Sequence, residues 1–181
     1  TSLVVFFFCC VDDTDYQHTD TYETNNYVST SLTVVKPDLV ISSGTPTVTP
    51  APAAPGGQVQ LSSWTVKNQG PGSTSVTTLF VGYYLSTNAI ITPKSDITLG
   101  GNKLMNPLGP GESATSPGPM LTIPAQTEPG SYSIGICVDI IDTVDESNEA
   151  NNCASVPIQV EGPVCEQGLK CGNLTPAISL L

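Results

Sequence analysis

The chain has 181 residues, with 16 Asp and Glu against 5 basic residues, all of them Lys, and a formal net charge of −11. That balance argues against nucleic acid and anionic membrane surfaces as partners, since both repel an acidic protein. Gly and Pro number 16 each, and no stretch keeps a helical period, so the composition points to short strands divided by turns.

In chain order, residues 1–11 read as a strand, strongly apolar through Phe6, Phe7 and Phe8. The run from Leu3 to Val11 is too short to span a bilayer and lacks the basic flank of a signal peptide. Residues 12–24 are an acidic loop, and residues 27–35 a return strand with Val28, Leu32 and Val34 on one face by period two. Lys36-Pro37 is a joint. Residues 38–43 (DLVISS) open a new unit, and 45–54, with Pro46, Pro50 and Pro52, is an edge segment or loop. Gln58–Asn68 reads as one long strand with a fault: Val59 and Leu61 are odd-numbered, Trp64 and Val66 even-numbered. One face can hold all four only if a residue slips, which predicts a β-bulge at Ser62-Ser63, with Trp64 as the core anchor. Residues 77–86 (TTLFVGYYLS) form a central strand, residues 87–103 a connection with a short strand near Ile97–Leu99, and Ala114–Ile123, interrupted by Pro117 and Pro119, an edge. In Ser131–Asp139, Tyr132, Ile134, Ile136 and Val138 point inward, and Ser131, Ser133, Gly135 and Cys137 outward. The last strand, 152–160, points Ala154, Val156, Ile158 and Val160 inward, and Cys153, Ser155 and Gln159 outward. The fold expected is all-β: an immunoglobulin-like antiparallel β-sandwich of about seven strands, with an extra N-terminal β-hairpin and a C-terminal tail.

The closing hairpin of that sandwich occurs twice. Glu149-Ala150-Asn151-Asn152 aligns with Glu23-Thr24-Asn25-Asn26 at an offset of 149 − 23 = 126, and Ala154, Ile158 and Val160 with Val28, Leu32 and Val34. Upstream, Cys137-Val138-Asp139 aligns with Cys10-Val11-Asp12 at 137 − 10 = 127, one residue having entered the loop. Residues 1–36 therefore read as the closing hairpin of an incomplete repeat, and 37–160 as a complete unit. Residues 161–181 read as a Cys-containing tail ending in PAISLL, which resembles the PDLVIS start at 37–42 and so the first strand of a next domain.

Pro37-Asp38-Leu39-Val40, Val66-Lys67-Asn68-Gln69-Gly70, Gly82-Tyr83-Tyr84-Leu85-Ser86-Thr87, Pro129-Gly130-Ser131-Tyr132 and Val144-Asp145-Glu146-Ser147-Asn148-Glu149-Ala150-Asn151-Asn152 together resemble a CARDB domain, the cell-adhesion-related domain found in bacteria. The resemblance spans Pro37 to Val160. It implies a β-sandwich module of secreted and surface proteins, usually in tandem and not catalytic, with adhesion as a loose label. The incomplete N-terminal copy and the Cys pairs depart from the family's usual pattern.

Six Cys with one His fit disulfides in an oxidising compartment. Cys137 and Cys153 sit on adjacent antiparallel strands with numbers summing to 290, so a cross-strand bridge is geometrically sound. In the N-terminal copy Tyr27 stands opposite Cys10, so that bridge is absent. Cys165 and Cys171 close a small loop, or either bonds Cys9 or Cys10 of another chain. Zinc lacks a CxxC pair. Ten of the 16 acids lie in the two equivalent loops. Asp139, Asp142, Asp145, Glu146, Asn148 and Glu149 offer the oxygens that calcium prefers, without EF-hand spacing. The competing reading is a solvated loop whose Asn and Asp caps hold a turn. His18 has no counterpart in the second copy, no acid, base and nucleophile set assembles, and no enzyme is expected.

An isolated two-stranded hairpin cannot bury the apolar stripe of Leu3, Val5, Phe6, Phe7, Phe8, Val28, Leu32 and Val34. Three settings would cover it: the chain's own sandwich, a neighbouring copy completed by strand complementation, or a longer tandem array. The function expected is a non-enzymatic structural subunit of an extracellular or cell-surface filament, its partners other copies of itself, with no nucleic acid and no membrane insertion. The alternative is an adhesive or carbohydrate-binding accessory module of a larger secreted protein, taking a glycan or surface ligand.

Overall fold

The computed structural model describes residues 3–10, 27–42, 46–74, 78–100 and 103–162. Two strands, β1 (Leu3–Cys10) and β2 (Tyr27–Val34), pair antiparallel as a sheet of their own. Their register sets Cys10 opposite Tyr27, as the repeat requires. Leu3, Val5, Phe6, Phe7 and Phe8 lie on β1 and Val28 on β2; their side chains lie outside the described part of the structure.

The remaining strands make a two-layer sandwich. One layer contains β3 (Leu39–Ile41), β4 (Val48–Thr49), β5 (Gln58–Leu61), β6 (Trp64–Asn68), β10 (Ser113–Ser116) and β11 (Met120–Thr122). It consists of two ladders, β10-β6-β3 and β11-β5-β4. The other layer follows the order β13-β12-β7-β8, from β13 (Cys153–Val160), β12 (Gly130–Val138), β7 (Leu79–Ser86) and β8 (Ile97–Thr98), with β9 (Lys103–Met105) also on β7. Joining the segments that continue one another (β3 with β4, β5 with β6, β8 with β9, β10 with β11) leaves seven lines, the number expected of an immunoglobulin-like sandwich.

The fault in Gln58–Asn68 resolves differently from the bulge expected. The chain breaks at Ser62-Ser63 into β5 and β6, which belong to separate ladders. The break reverses the facing, so Val59, Leu61, Trp64 and Val66 are all fully buried. Ser62 is tied across the break, its N–H donating to Thr47 O at 2.8 Å and its Oγ accepting from Thr47 N at 2.9 Å. The facing line breaks at the same level, at Pro117-Gly118-Pro119 between β10 and β11. There Gly118 lies so close to the Leu61 and Ser62 carbonyls that a Cβ would overlap both oxygens. Those carbonyls are backbone and cannot swing away as a side chain would. Gly118→Ala is therefore expected to cost roughly 2 kcal/mol or more, read as a lowered melting temperature.

The core between the layers holds Trp64, Leu39, Leu79, Ile123, Ile134 and Ile136, all fully buried. The Trp64 ring meets Tyr83 edge-on, 6.3 Å between centroids, the geometry favoured by aromatic quadrupoles. Most of the inward set of the closing hairpin is buried, including Ile134, Ile136, Val138, Val156, Ile158 and Val160, while Tyr132 and Ala154 are half-buried. Its outer face is not open, however. The connection after β7 folds over it, Ser155 Oγ donating to Ala89 O at 2.9 Å, so Cys137 and Ser133 are buried too.

Candidate functional site

The family-like motifs are far apart in sequence, yet three of them meet at one place, the entry of the sandwich at Lys36-Pro37-Asp38-Leu39. The entry is held from two sides.

The first side is the loop between β12 and β13. Asp139 adopts φ 52° and Asp142 φ 56°, the left-handed region that Asp tolerates better than most residues. The Asp139 carboxylate turns back on its own loop. Its Oδ1 accepts from Thr143 N (3.2 Å) and Thr143 Oγ1 (2.8 Å), and its Oδ2 from Val144 N (2.8 Å). Glu149 Oε1 accepts from Glu146 N at 2.7 Å, and Asn148 Oδ1 from Ala150 N at 3.1 Å. Built this way, the loop grips the entry. Asp145 pairs with Lys36, and Glu146 Oε2 accepts from Leu39 N. Ser147 N–H donates to Pro37 O at 2.9 Å, and Asn151 Nδ2 to Asp38 Oδ1 at 2.8 Å. Glu146 is only 4% exposed, and its Oε1 accepts from Asn152 Nδ2 at 2.7 Å. Burial pushes its carboxyl up from 4.5 to about 7; the hydrogen bonds from Leu39 and Asn152 oppose the shift, and the charges of Glu149 and Asp139 add to it.

The second side is the turn after β6. Asn68, fully buried, takes Asp38 N (3.0 Å) and Gly70 N (3.1 Å) on its Oδ1. Its Nδ2 donates to Gly72 O (2.7 Å), Leu108 O (3.2 Å) and Gly109 O (3.1 Å). Gln69 adds Nε2 to Asp38 Oδ2 at 2.9 Å and its own N–H to Asp38 O at 2.8 Å. Backbone lies directly on backbone here: a Cβ on Gly70 would come within 2.6 Å of Asp38 N, and one on Gly72 within 2.6 Å of Val35 O. Only glycine allows that approach.

The six residues read as calcium ligands are placed as follows. Asp139, Glu146, Asn148 and Glu149 accept backbone N–H groups, Asp145 faces Lys36, and Asp142 is exposed. Among the described residues no group of three or more His, Cys, Asp or Glu is arranged to hold a metal ion. Cys137 and Cys153 are bonded, as their register demands, and close a ring around the whole gripping loop. A loop of this length contributes about 3 kcal/mol by restricting the unfolded chain. Cys165, Cys171 and His18 lie outside the described residues. Asn68 was not anticipated as a hub; its signal was the run Asn68-Gln69-Gly70-Pro71-Gly72, legible only as a turn.

The family model for CARDB matches residues 36–156, from the clasped entry to the closing strand. The chain belongs to the CARDB family. Among solved structures it is similar to the CARDB domain of a Pyrococcus furiosus protein, crystallised with di-metal ions, at 25% identity over 69% of this chain and 94% of that one (TM-score 0.46). A solution structure of the same domain gives 24% identity, 70% and 97% coverage and a TM-score of 0.47. A β-glucosidase from Listeria innocua is similar at 16% identity over 75% of this chain and 17% of that chain (TM-score 0.39). None of the curated proteins matches the chain. In this CARDB domain the Asp-Glu-Ser-Asn-Glu-Ala-Asn-Asn segment, 145–152, is the clasp, and Pro37-Asp38-Leu39 is what it holds.

Proposed function

We propose that this CARDB protein is a non-enzymatic structural subunit of an extracellular or cell-surface fibre, in which the β1–β2 hairpin completes a sandwich in a neighbouring copy. The observation that carries the reading is a difference between the two copies of the hairpin. Ile158 and Val160 are 3% and 1% exposed, whereas their equivalents Leu32 and Val34 are 50% and 42% exposed. Val35 beside them is 41% exposed. Side chains that serve as core in one copy stand open to solvent in the other, on a sheet of two strands, which is not stable by itself in water. A head-to-tail contact between unlike surfaces does not close on itself, so it propagates as a filament. The clasp suits that role, because it fixes the direction in which the chain passes from hairpin to sandwich. No helix among the described residues is long and apolar enough to cross a membrane.

Sedimentation velocity and electron microscopy of the full chain test the reading. Assemblies of uniform width that grow with concentration are expected, and Leu32→Asp with Val34→Asp should leave a folded monomer. A parent chain that stays monomeric over the whole concentration range would overturn the proposal.

A further inference from the structure

We infer that the Cys137–Cys153 disulfide is a thiol-exchange site, and that its reduction loosens the clasp on Lys36–Leu39, so that oxidation state sets the stiffness of the joint between hairpin and sandwich. Three observations carry this. First, every contact between the acidic loop and the entry comes from inside the covalent ring: Asp145, Glu146, Ser147 and Asn151 all lie between Cys137 and Cys153. Second, the ring closes at the last residue pair of the β12–β13 ladder; beyond it the loop is held by Val138 N–H on Asn152 O at 3.0 Å, by the buried Val144 side chain, by its own turns and by the entry. Third, a cleft leads to the bond. Both cysteines line a cleft of about 560 Å³ between the loop and residues 89–94, and Cys153 is half-buried where Cys137 is 1% exposed.

The chemistry is ordinary exchange. A thiolate of an external dithiol attacks Cys153 Sγ, the S–S bond breaks, and Cys137 leaves as a thiolate that takes up a proton. The reductant's second thiolate then attacks its own sulfur in the mixed disulfide and releases Cys153. Two electrons and two protons pass to the cysteine pair, and the reductant leaves as its disulfide. Reduction restores conformational freedom to the ring, and the entry keeps its hold from the second side: Asn68, Gln69, Gly72 N–H on Lys36 O at 3.1 Å, and the pairing of Leu39 with β6. The consequence for a fibre rests on the proposed serial assembly, but the measurement below does not.

Hydrogen exchange of the full chain, oxidised and after dithiothreitol, is the test. The amides of Leu39, Val144 and Ser147 should accelerate at least ten-fold more than those of Val81 and Ile136 in the core strands. Equal acceleration throughout, or none, would overturn the inference. The double variant Cys137→Ser, Cys153→Ser should show the loosened pattern without reductant and no response to it. A persisting response would place the effect on other cysteines and overturn the inference. If the double variant does not fold, the reduction experiment on the parent chain decides alone.

Discussion

Replacing Asn68 by alanine is expected to remove roughly 3–5 kcal/mol of stability, read as a shift in urea midpoint with an unchanged slope. The side chain is fully buried and makes hydrogen bonds through both ends of its amide. Its loss strands two N–H groups, of Asp38 and Gly70, and the carbonyl of Gly72, while the Leu108 and Gly109 carbonyls keep Thr74 N and Glu112 N as donors. A water in the space left by the amide cannot replace every bond it made, so the penalty includes desolvation of the groups left unpaired and exceeds the modest net value of a single bond. Asn68→Asp makes the sharper comparison. It keeps the acceptor for Asp38 and Gly70 but sets a carboxylate oxygen against three carbonyl oxygens. It should be at least as damaging as alanine, and a loss within about 1 kcal/mol of the parent would remove Asn68 from its place at the centre of the entry.

The second large effect is on pH. The Glu146 carboxyl holds its proton up to about 7 in the folded chain, while in the unfolded chain it releases it near 4.5. Between those values the folded state binds the extra proton, so the stability that this group contributes is present in full below 4.5. It is lost progressively as pH rises towards 7 and does not change further above that. The span corresponds to about 3 kcal/mol. The cause is chiefly burial, with Glu149 and Asp139 as the nearest like charges. Glu146→Gln should fold, because Gln Oε1 can take Leu39 N. Its amide can also donate to Asn152 Oδ1, a buried oxygen without a hydrogen-bond partner among the described residues, once the Asn152 amide turns over. The variant should lose the slope between pH 5 and 7 that the parent shows in denaturant titrations. Parallel curves for the two chains would rule Glu146 out as the titrating group.

Much of the sandwich was legible because strands announce themselves locally. The alternation in Ser131–Asp139 and 152–160 set the inner face of β12 and β13, and the sum of 290 set the register that brings Cys137 to Cys153. The same arithmetic placed Tyr27 opposite Cys10. The phase slip in Gln58–Asn68 was visible too, but its form was not. Whether the chain bulges within one ladder or breaks between two depends on the facing line, and Pro117-Gly118-Pro119, some 55 residues on, breaks at the same level. Cys137 and Ser133 alternated outward as period two requires, yet the connection after β7 covers them, and no local pattern encodes where a connection lies.

The sequence by itself determined the fold class, the family and the repeat of the closing hairpin, since these rest on spacing and on motifs kept in order. It did not determine what the acids of the loop do. Asp139, Asp145, Glu146 and Glu149 could be read as metal oxygens or as a solvated, capped loop, because a carboxylate's role depends on which donors stand within about 3 Å of it. Those donors are Val144 and Glu146 within the loop, but Leu39 and Lys36 more than 100 residues away. Only the packed sandwich brings the entry against the loop, and only there does an acidic, seemingly solvated segment become a partly buried clasp.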